Sequence, residues 1–355
     1  MSRAIELAQR GHGHVSPNPL VGAVIVKDGQ VIGEGYHEAY GNPHAEANAL
    51  SNCTQDPAGS EMYVTLEPCS HFGKNPPCTQ AIIDVGIKSV YIGCGDPNPI
   101  VAGKGIQILR EHGISVTTGI MQEECEQLNE VFFHYIKNNT PFVALKFAMT
   151  LDGKTATTAN QSKWITNEQA RKHVHGLRNI YSSIMVGVDT VIADDSLLTC
   201  RIPKARNPIR IICDTTLRIP KESAIIKSAK KIRTIIATCS SDKQKKEDFE
   251  LLGCQVLNVS SVNNHVNISD LFKKLRKMDI DSILVEGGPT LNYSVIESRH
   301  VNKVYAYIGA KLLGGSGAQT AIGGLGISRI HSAVKLADPK FTKFGDDILI
   351  EYAVR

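Results

Sequence analysis

Along the first 140 positions, apolar side chains fall into short blocks of two kinds. Some recur every three or four residues, and others form runs bounded by Gly, Pro, Asn or Asp. Residues 2–10 read as a helix capped by Ser2, and the turn Ser16-Pro17-Asn18-Pro19 leads into an apolar strand over 21–26. Asp28-Gly29 accepts the positive φ values of a type I′ turn, which predicts a hairpin to a second strand over 30–37. Beyond it, helical segments (44–52, 77–85, 105–112) alternate with extended ones (62–66, 89–93, 114–117), the pattern of helices packed on a central sheet. A polar helix over 121–135 then meets Lys137-Asn138-Asn139-Thr140-Pro141, whose turn-forming residues place a domain boundary and give domains 1–140 and 141–355.

In the second stretch, extended segments are predicted at 142–148, 183–187, 209–213, 232–238, 255–259, 282–285 and 301–308, with helices between several of them. This is α/β again. No G-x-G-x-x-G follows an opening strand, so the usual dinucleotide fingerprint is missing. The Lys-rich stretch 241–247 reads as the solvated start of a helix.

Composition narrows the class. At 355 residues, 42% hydrophobic and 21% charged, the chain has the make-up of a two-domain globular protein and excludes a disordered one. No apolar run approaches the roughly 18 residues needed to cross a bilayer, and the opening residues lack a signal peptide's apolar stretch, so a cytoplasmic protein without a membrane partner is expected. Nine cysteines, an odd number without framework spacing, fit reduced thiols. Charge is unevenly shared. Residues 1–140 carry 8 Lys and Arg against 15 Asp and Glu, a net −7, while 141–355 carry 31 against 20, a net +11. The asymmetry suggests two chemistries in one chain.

The sharpest chemical signal is His44-Ala45-Glu46 followed by Pro68-Cys69 and, nine positions on, Cys78. One imidazole and two thiolates hold a tetrahedral Zn²⁺ and leave its fourth position for water, the ligand count of a catalytic site. His71 as a fourth ligand would demand a strained loop two residues after Cys69. Glu46, two residues after His44, shares the first helical turn and is placed to move protons during a hydrolytic deamination. Taken singly, each of these residues reads as an ordinary buried His, Cys or Glu; their joint occurrence as H-x-E with P-C is the zinc deaminase signature, here with eight residues between the cysteines instead of two.

With Asn18-Pro19-Leu20-Val21-Gly22, Thr65-Leu66-Glu67-Pro68-Cys69-Ser70-His71, Pro76-Pro77-Cys78 and Asp96-Pro97-Asn98-Pro99, the chain resembles the bifunctional riboflavin biosynthesis family, a pyrimidine deaminase joined to a reductase. In the second stretch Leu151-Asp152-Gly153-Lys154, Ser162-Lys163-Trp164-Ile165-Thr166, the run 188–195, Leu198-Thr199-Cys200-Arg201 and Glu286-Gly287-Gly288-Pro289-Thr290-Leu291 extend the resemblance over essentially the whole length. It implies an α/β fold: a cytidine-deaminase-like three-layer domain, then a dihydrofolate-reductase-like domain, which accounts for the missing glycine fingerprint. The implied reactions are hydrolytic deamination of 2,5-diamino-6-(5-phosphoribosylamino)pyrimidin-4-one and NADPH-dependent reduction of the ribosyl group of 5-amino-6-(5-phosphoribosylamino)uracil.

By the same resemblance one Zn²⁺ per chain sits on His44, Cys69 and Cys78 with Glu46 as proton shuttle, and Asn18, His37, Lys74, Asp96 and Asn98 contact the first substrate. Ala148, Trp164, Thr166, Thr190, Asp194, Gly288, Pro289, Thr290, Leu291, Asn292, Tyr293 and Ser294 meet NADPH, and Ser162, Arg178, Leu198, Arg201 and Glu286 meet the second substrate. Arg178 and Arg201 suit phosphate as planar forks. Lys154 and Glu286 are the expected proton or electrostatic partners of the reduction. The resemblance also implies a homo-oligomer. Plainer readings stand beside these: Asp96, Asn98 and Asn18 occupy turns for backbone reasons, Trp164 is a core anchor, and Gly287-Gly288 is a helix entry. A nucleic-acid base deaminase is the alternative enzyme, opposed by the −7 of the zinc-bearing half, since strand binding calls for a basic groove. A non-enzymatic pair of modules with a structural zinc is the other alternative.

Overall fold

The computed structural model describes residues 1–70, 76–99 and 102–355, and the chain divides into two units, Met1–Asn139 and Thr140–Arg355, each built on its own sheet. The first unit runs α1 (Ser2–Gln9), β1 (Gly22–Lys27), β2 (Gln30–Tyr36), α2 (Ala45–Ser51), β3 (Glu61–Leu66), α3 (Cys78–Asp84), β4 (Ser89–Cys94), α4 (Lys104–Glu111), β5 (Ser115–Thr118), α5 (Gln122–Leu128) and α6 (Glu130–Asn138). The strand order is β2-β1-β3-β4-β5; β1 is antiparallel to β2 and β3, and the others are parallel. Asp28 and Gly29 both take positive φ, 50° and 75°, and join β1 to β2 in the expected hairpin.

Alternation along β1 makes the layers. Ala23 and Ile25 pack with Ala45 and Ala49 of α2, Ile82 of α3 and Leu109 of α4, while Val24 packs with Ala4 and Leu7 of α1 on the opposite face. Contact between α2 and β2 is exceptionally close, because a Cβ at Gly33 or Gly35 would collide with the Ala49 backbone. Those two glycines therefore fix the seat of the helix that carries the H-x-E motif.

Two expectations for this unit change. Ser2 lies inside α1, whose N-cap is Met1, and its hydroxyl bonds Met121 Sδ instead of capping the helix. The single helix expected at 121–135 is two, broken at Asn129, because the buried Asn129 amide bonds both the N–H (2.8 Å) and the carbonyl (2.9 Å) of Leu20.

The second unit runs β6 (Phe142–Thr150), α7 (Glu168–Ile180), β7 (Ser183–Gly187), α8 (Val188–Asp194), β8 (Ile209–Cys213), α9 (Ala224–Lys227), β9 (Thr234–Thr238), α10 (Lys243–Leu251), β10 (Gln255–Asn258), β11 (Ser261–Val262), β12 (His265–Val266), α11 (Ile268–Arg276), β13 (Ser282–Val285), α12 (Pro289–Glu297), β14 (Val301–Gly309), β15 (Leu336–Phe344) and β16 (Asp347–Val354). Its main sheet is ordered β10-β9-β8-β7-β13-β6-β14-β16-β15, parallel as far as β14 and antiparallel for the last two strands. Because β13 inserts between β6 and β7, the strand order reverses there, and a crevice opens at the carboxyl ends of the parallel strands. The hairpin β15–β16 has no counterpart among the predicted strands. Pro339 and a register shift between Ala337 and Lys340 interrupt β15, which is mostly exposed and carries no clear two-residue alternation.

Candidate active sites

In the first unit three separate elements deliver the zinc signature. His44 is the N-cap of α2, Cys69 follows β3, and Cys78 is the first residue of α3. His44 Nδ1 lies 3.4 Å from Cys69 Sγ and 3.3 Å from Cys78 Sγ, and the three ligand atoms all fall within 4.8 Å of one another. A tetrahedral ion with Zn–N near 2.0 Å and Zn–S near 2.3 Å sets nitrogen and sulfur about 3.5 Å apart, so the donor set fits zinc in chemistry and in spacing. Cys69 is held well below the ordinary thiol range, first by the Cys78 thiol donating to it and then by His44, and Cys78 is pushed up by the same bond. The Cys78 N–H also donates to Cys69 Sγ at 3.3 Å. A metal ion held there would take both sulfurs as thiolates.

Glu46, on the first turn of α2, is 3% exposed. Burial pushes its carboxyl up to about 7, with Cys69 adding to the push. Beside it the His37 ring stands edge-on to His44, with centroids 5.6 Å apart. His37 Nδ1 faces the Pro43 carbonyl at 3.1 Å, so Nδ1 carries the proton and Nε2 accepts from Asn18 Nδ2, also at 3.1 Å. Asn18 thereby turns its amide oxygen away from His37. Asp96 accepts from the Asn98 N–H at 2.8 Å in an Asx turn, the backbone reason anticipated for the D-P-N-P stretch. His71 and Lys74 lie outside the described residues.

Sequence reasoning passed over Glu67. Only 4% exposed, it accepts from the backbone N–H groups of Gly103 and Gly105 at 3.0 Å and of Asp96 at 3.4 Å, tying the end of β3, just before Cys69, to the start of α4. An acidic residue closing an apolar strand run was the available signal.

In the second unit a cleft of about 1720 Å³ opens at the strand ends. Of the predicted residues, Ala148, Ser162, Trp164, Thr166, Arg178, Thr190, Asp194, Leu198, Arg201, Glu286, Gly288, Pro289, Thr290, Leu291, Asn292 and Ser294 line it. Lys154 and Tyr293 are not among its lining residues. Lys154 pairs through its backbone with Thr150 and Thr320, and the Tyr293 ring packs on Gly324 with its hydroxyl bonding the Gly326 carbonyl. Trp164 is 60% exposed under the Arg171 guanidinium, which rules out the core-anchor reading.

The charged end of the cleft departs from expectation. Arg178 is no open phosphate fork: its Nε and Nη2 grip Glu286 at 2.7 and 3.1 Å, and Nη1 holds the Thr199 carbonyl at 3.0 Å. Lys146, a cation inside the apolar strand β6, completes the group 3.4 Å from Glu286 and 5.7 Å from the Tyr307 ring centre. Burial by itself would raise the Glu286 carboxyl, but Arg178 and then Lys146 override it and hold it at about 2. Glu286 is thus a carboxylate at neutral pH and no proton donor. Lys146 was legible only as a lone charge in an apolar run.

Residues 1–94 match the family described as the cytidine and deoxycytidylate deaminase zinc-binding region, and residues 141–350 match the RibD C-terminal domain. Riboflavin biosynthesis protein RibD of Actinobacillus pleuropneumoniae is 52% identical over 354 residues, covering 100% of this chain and 94% of the relative. That of Aquifex aeolicus is 42% identical over 351 residues, covering 99% and 96%. A solved structure from Thermotoga maritima, a diaminohydroxyphosphoribosylaminopyrimidine deaminase/5-amino-6-(5-phosphoribosylamino)uracil reductase, superposes with TM-score 0.88 at 38% identity, covering 100% of this chain and 97% of that one. The chain therefore belongs to the RibD family of riboflavin biosynthesis, bifunctional enzymes in which a zinc-dependent deaminase is joined to an NADPH-using reductase.

Proposed function

We propose that residues 1–140 carry the deaminase site on His44, Cys69, Cys78 and Glu46, and that residues 141–355 carry the reductase site along the cleft. The observation that bears most weight is the convergence of three ligand atoms within 4.8 Å beside a buried carboxyl. Zinc held by those ligands would supply the Lewis acidity that makes a water nucleophilic near neutral pH. Glu46 takes the proton of that water, carries it to the adjacent ring nitrogen and then serves the departing amine, a role that suits a carboxyl whose surroundings lift it towards neutrality. Asn18, oriented by His37, presents a carbonyl oxygen to an amino or N–H edge of the pyrimidine. Substitution Glu46→Ala is expected to keep zinc, measured by metal analysis, and to abolish ammonia release from the diaminopyrimidine; deamination by the zinc-loaded variant refutes the assignment.

At the second site bound NADPH would supply the hydride. Lys146 donates to the sugar ring oxygen as the C1–O ring bond breaks and C1 becomes the hydride acceptor, Glu286 holds the Lys146 side chain, and Arg178 locks Glu286 in place. Arg201, exposed on the rim, is the phosphate ligand. The +11 of this unit suits a phosphorylated substrate and cofactor.

No described helix is long and apolar enough to cross a membrane. We infer a cytoplasmic homo-oligomer acting on small phosphoribosylated pyrimidines and on no nucleic acid. Support comes from nine unbridged cysteines, from Leu312, Leu325, Ile330 and Phe341 exposed on the second unit, and from the acidic charge of the zinc-bearing half. Sedimentation of the full chain as a monomer overturns the oligomer.

A further inference from the structure

Strand β6 carries Lys146 between two neighbours, β13, which leads into Glu286, and β14, which carries Tyr307. Lys146 stands opposite Tyr305 in the β6–β14 register, so Tyr307, two residues on, shares its face of the sheet. The ammonium therefore has a partner on each side. Glu286 meets it at 3.4 Å, and the Tyr307 ring centre lies 5.7 Å away, within the range of a cation–π contact.

Charge makes the second partner matter. The Glu286 carboxylate faces two cations, and Arg178 takes both of its oxygens, at 2.7 and 3.1 Å. Lys146 shares Oε2 with Arg178 at the longer distance. A single shared contact fixes one point of a flexible four-carbon stem and leaves the ammonium free to turn about it. The Tyr307 ring supplies a second point. Burial first, and then Tyr305, Glu286 and Glu351, push the Tyr307 phenol up, so it is neutral and offers Lys146 a π face, not a second anion.

The ring is itself held. Its hydroxyl lies 2.7 Å from His173 Nδ1, and the His173 ring packs on Phe344 of β15 with centroids 5.1 Å apart. His173 and Arg178 both belong to α7, so one helix secures both partners of Lys146: Arg178 grips the carboxylate and His173 holds the ring. Tyr307 lines the cleft together with Lys146 and Glu286.

We propose that Tyr307 is a positioning residue of the reduction, whose face, held by His173, aims the Lys146 ammonium at the sugar ring oxygen. The inference rests on the reading that Lys146 donates to that oxygen.

Steady-state reduction of 5-amino-6-(5-phosphoribosylamino)uracil by the full chain, followed by NADPH consumption, tests it. Tyr307→Leu removes the face, and kcat is expected to fall about tenfold, equivalent to about 1.4 kcal/mol, while KM for both reactants stays within about twofold. Tyr307→Phe keeps the face and loses only the hydroxyl contact, and its kcat is expected to recover to within about threefold of the wild type. Calorimetric titration with NADPH counts intact clefts, so kcat per binding site excludes loss of folded protein as the cause. Wild-type kcat in Tyr307→Leu, an effect carried wholly by KM, or a loss in Tyr307→Phe as large as in Tyr307→Leu overturns the proposal. Lys146→Met separates the two readings: turnover abolished there but kept in Tyr307→Leu defeats only the Tyr307 assignment, whereas turnover kept in Lys146→Met defeats the donor reading and the proposal with it.

Discussion

Replacing Arg178 by methionine tests the charged end of the reductase cleft, because it removes the bidentate partner of a carboxylate that is 10% exposed and leaves it only Lys146 at 3.4 Å. A carboxyl held at about 2 against an ordinary 4.5 represents about 3 kcal/mol of native-state stabilisation at neutral pH. Loss of one partner of a buried pair costs about 3–5 kcal/mol, the same scale. The sign with pH follows from the depressed value. The unfolded chain takes up its proton near 4.5 and the folded chain only near 2, so this contribution is complete above about pH 5 and is lost as pH falls through that interval. In Arg178→Met the carboxyl protonates more readily in the folded state, so the penalty of the substitution shrinks as pH falls. Urea unfolding followed by Trp164 emission, the single tryptophan and a reporter of the second unit, measures both quantities. A penalty below about 1 kcal/mol at pH 7, or one equally large at pH 3, contradicts the electrostatic account of Glu286.

Three further outcomes are expected. Gly35→Ala pushes a methyl group into the Ala49 backbone and lifts α2 off the sheet, lowering stability of the first unit by about 1–3 kcal/mol and weakening zinc retention under a competing chelator; undiminished retention contradicts the role of that close approach. Asn129→Ala leaves both Leu20 backbone groups without their buried partner and costs about 2–3 kcal/mol in chemical unfolding of the first unit, while a loss under about 0.5 kcal/mol shows that the break between α5 and α6 has another cause. Chelation of the metal stops ammonia release and added Zn²⁺ restores it; release that persists in metal-free protein removes the three-ligand site from the reaction.

Short-range pattern carried much of the architecture. The Asp28-Gly29 hairpin, the strands at 209–213 and 282–285, and the helix opened by His44 are each specified by neighbours two to four positions away, and their boundaries lie where turn residues put them. The three candidate zinc ligands were legible because the deaminase signature is a string of residue types at fixed spacing, and folding brings all three together. Pattern failed where a residue answers to a distant one. The helix after residue 121 breaks because Asn129 binds Leu20, 109 positions away, and β15 was invisible because Pro339 and its exposure erase the alternation.

The linear chain thus determined the two-domain α/β plan, the candidate metal donors and the division of charge between the halves. Tertiary structure alone decided the chemistry of the second site. It joined Glu286 to Arg178 across 108 positions and to Lys146 across 140, turned an expected phosphate fork into a clamp, and brought Lys146 into the cleft. The reason is physical: secondary structure is set by local sterics and periodic burial, which a sequence displays, whereas the charge state and partner of a buried side chain depend on which distant atoms the fold places within a few ångströms of it.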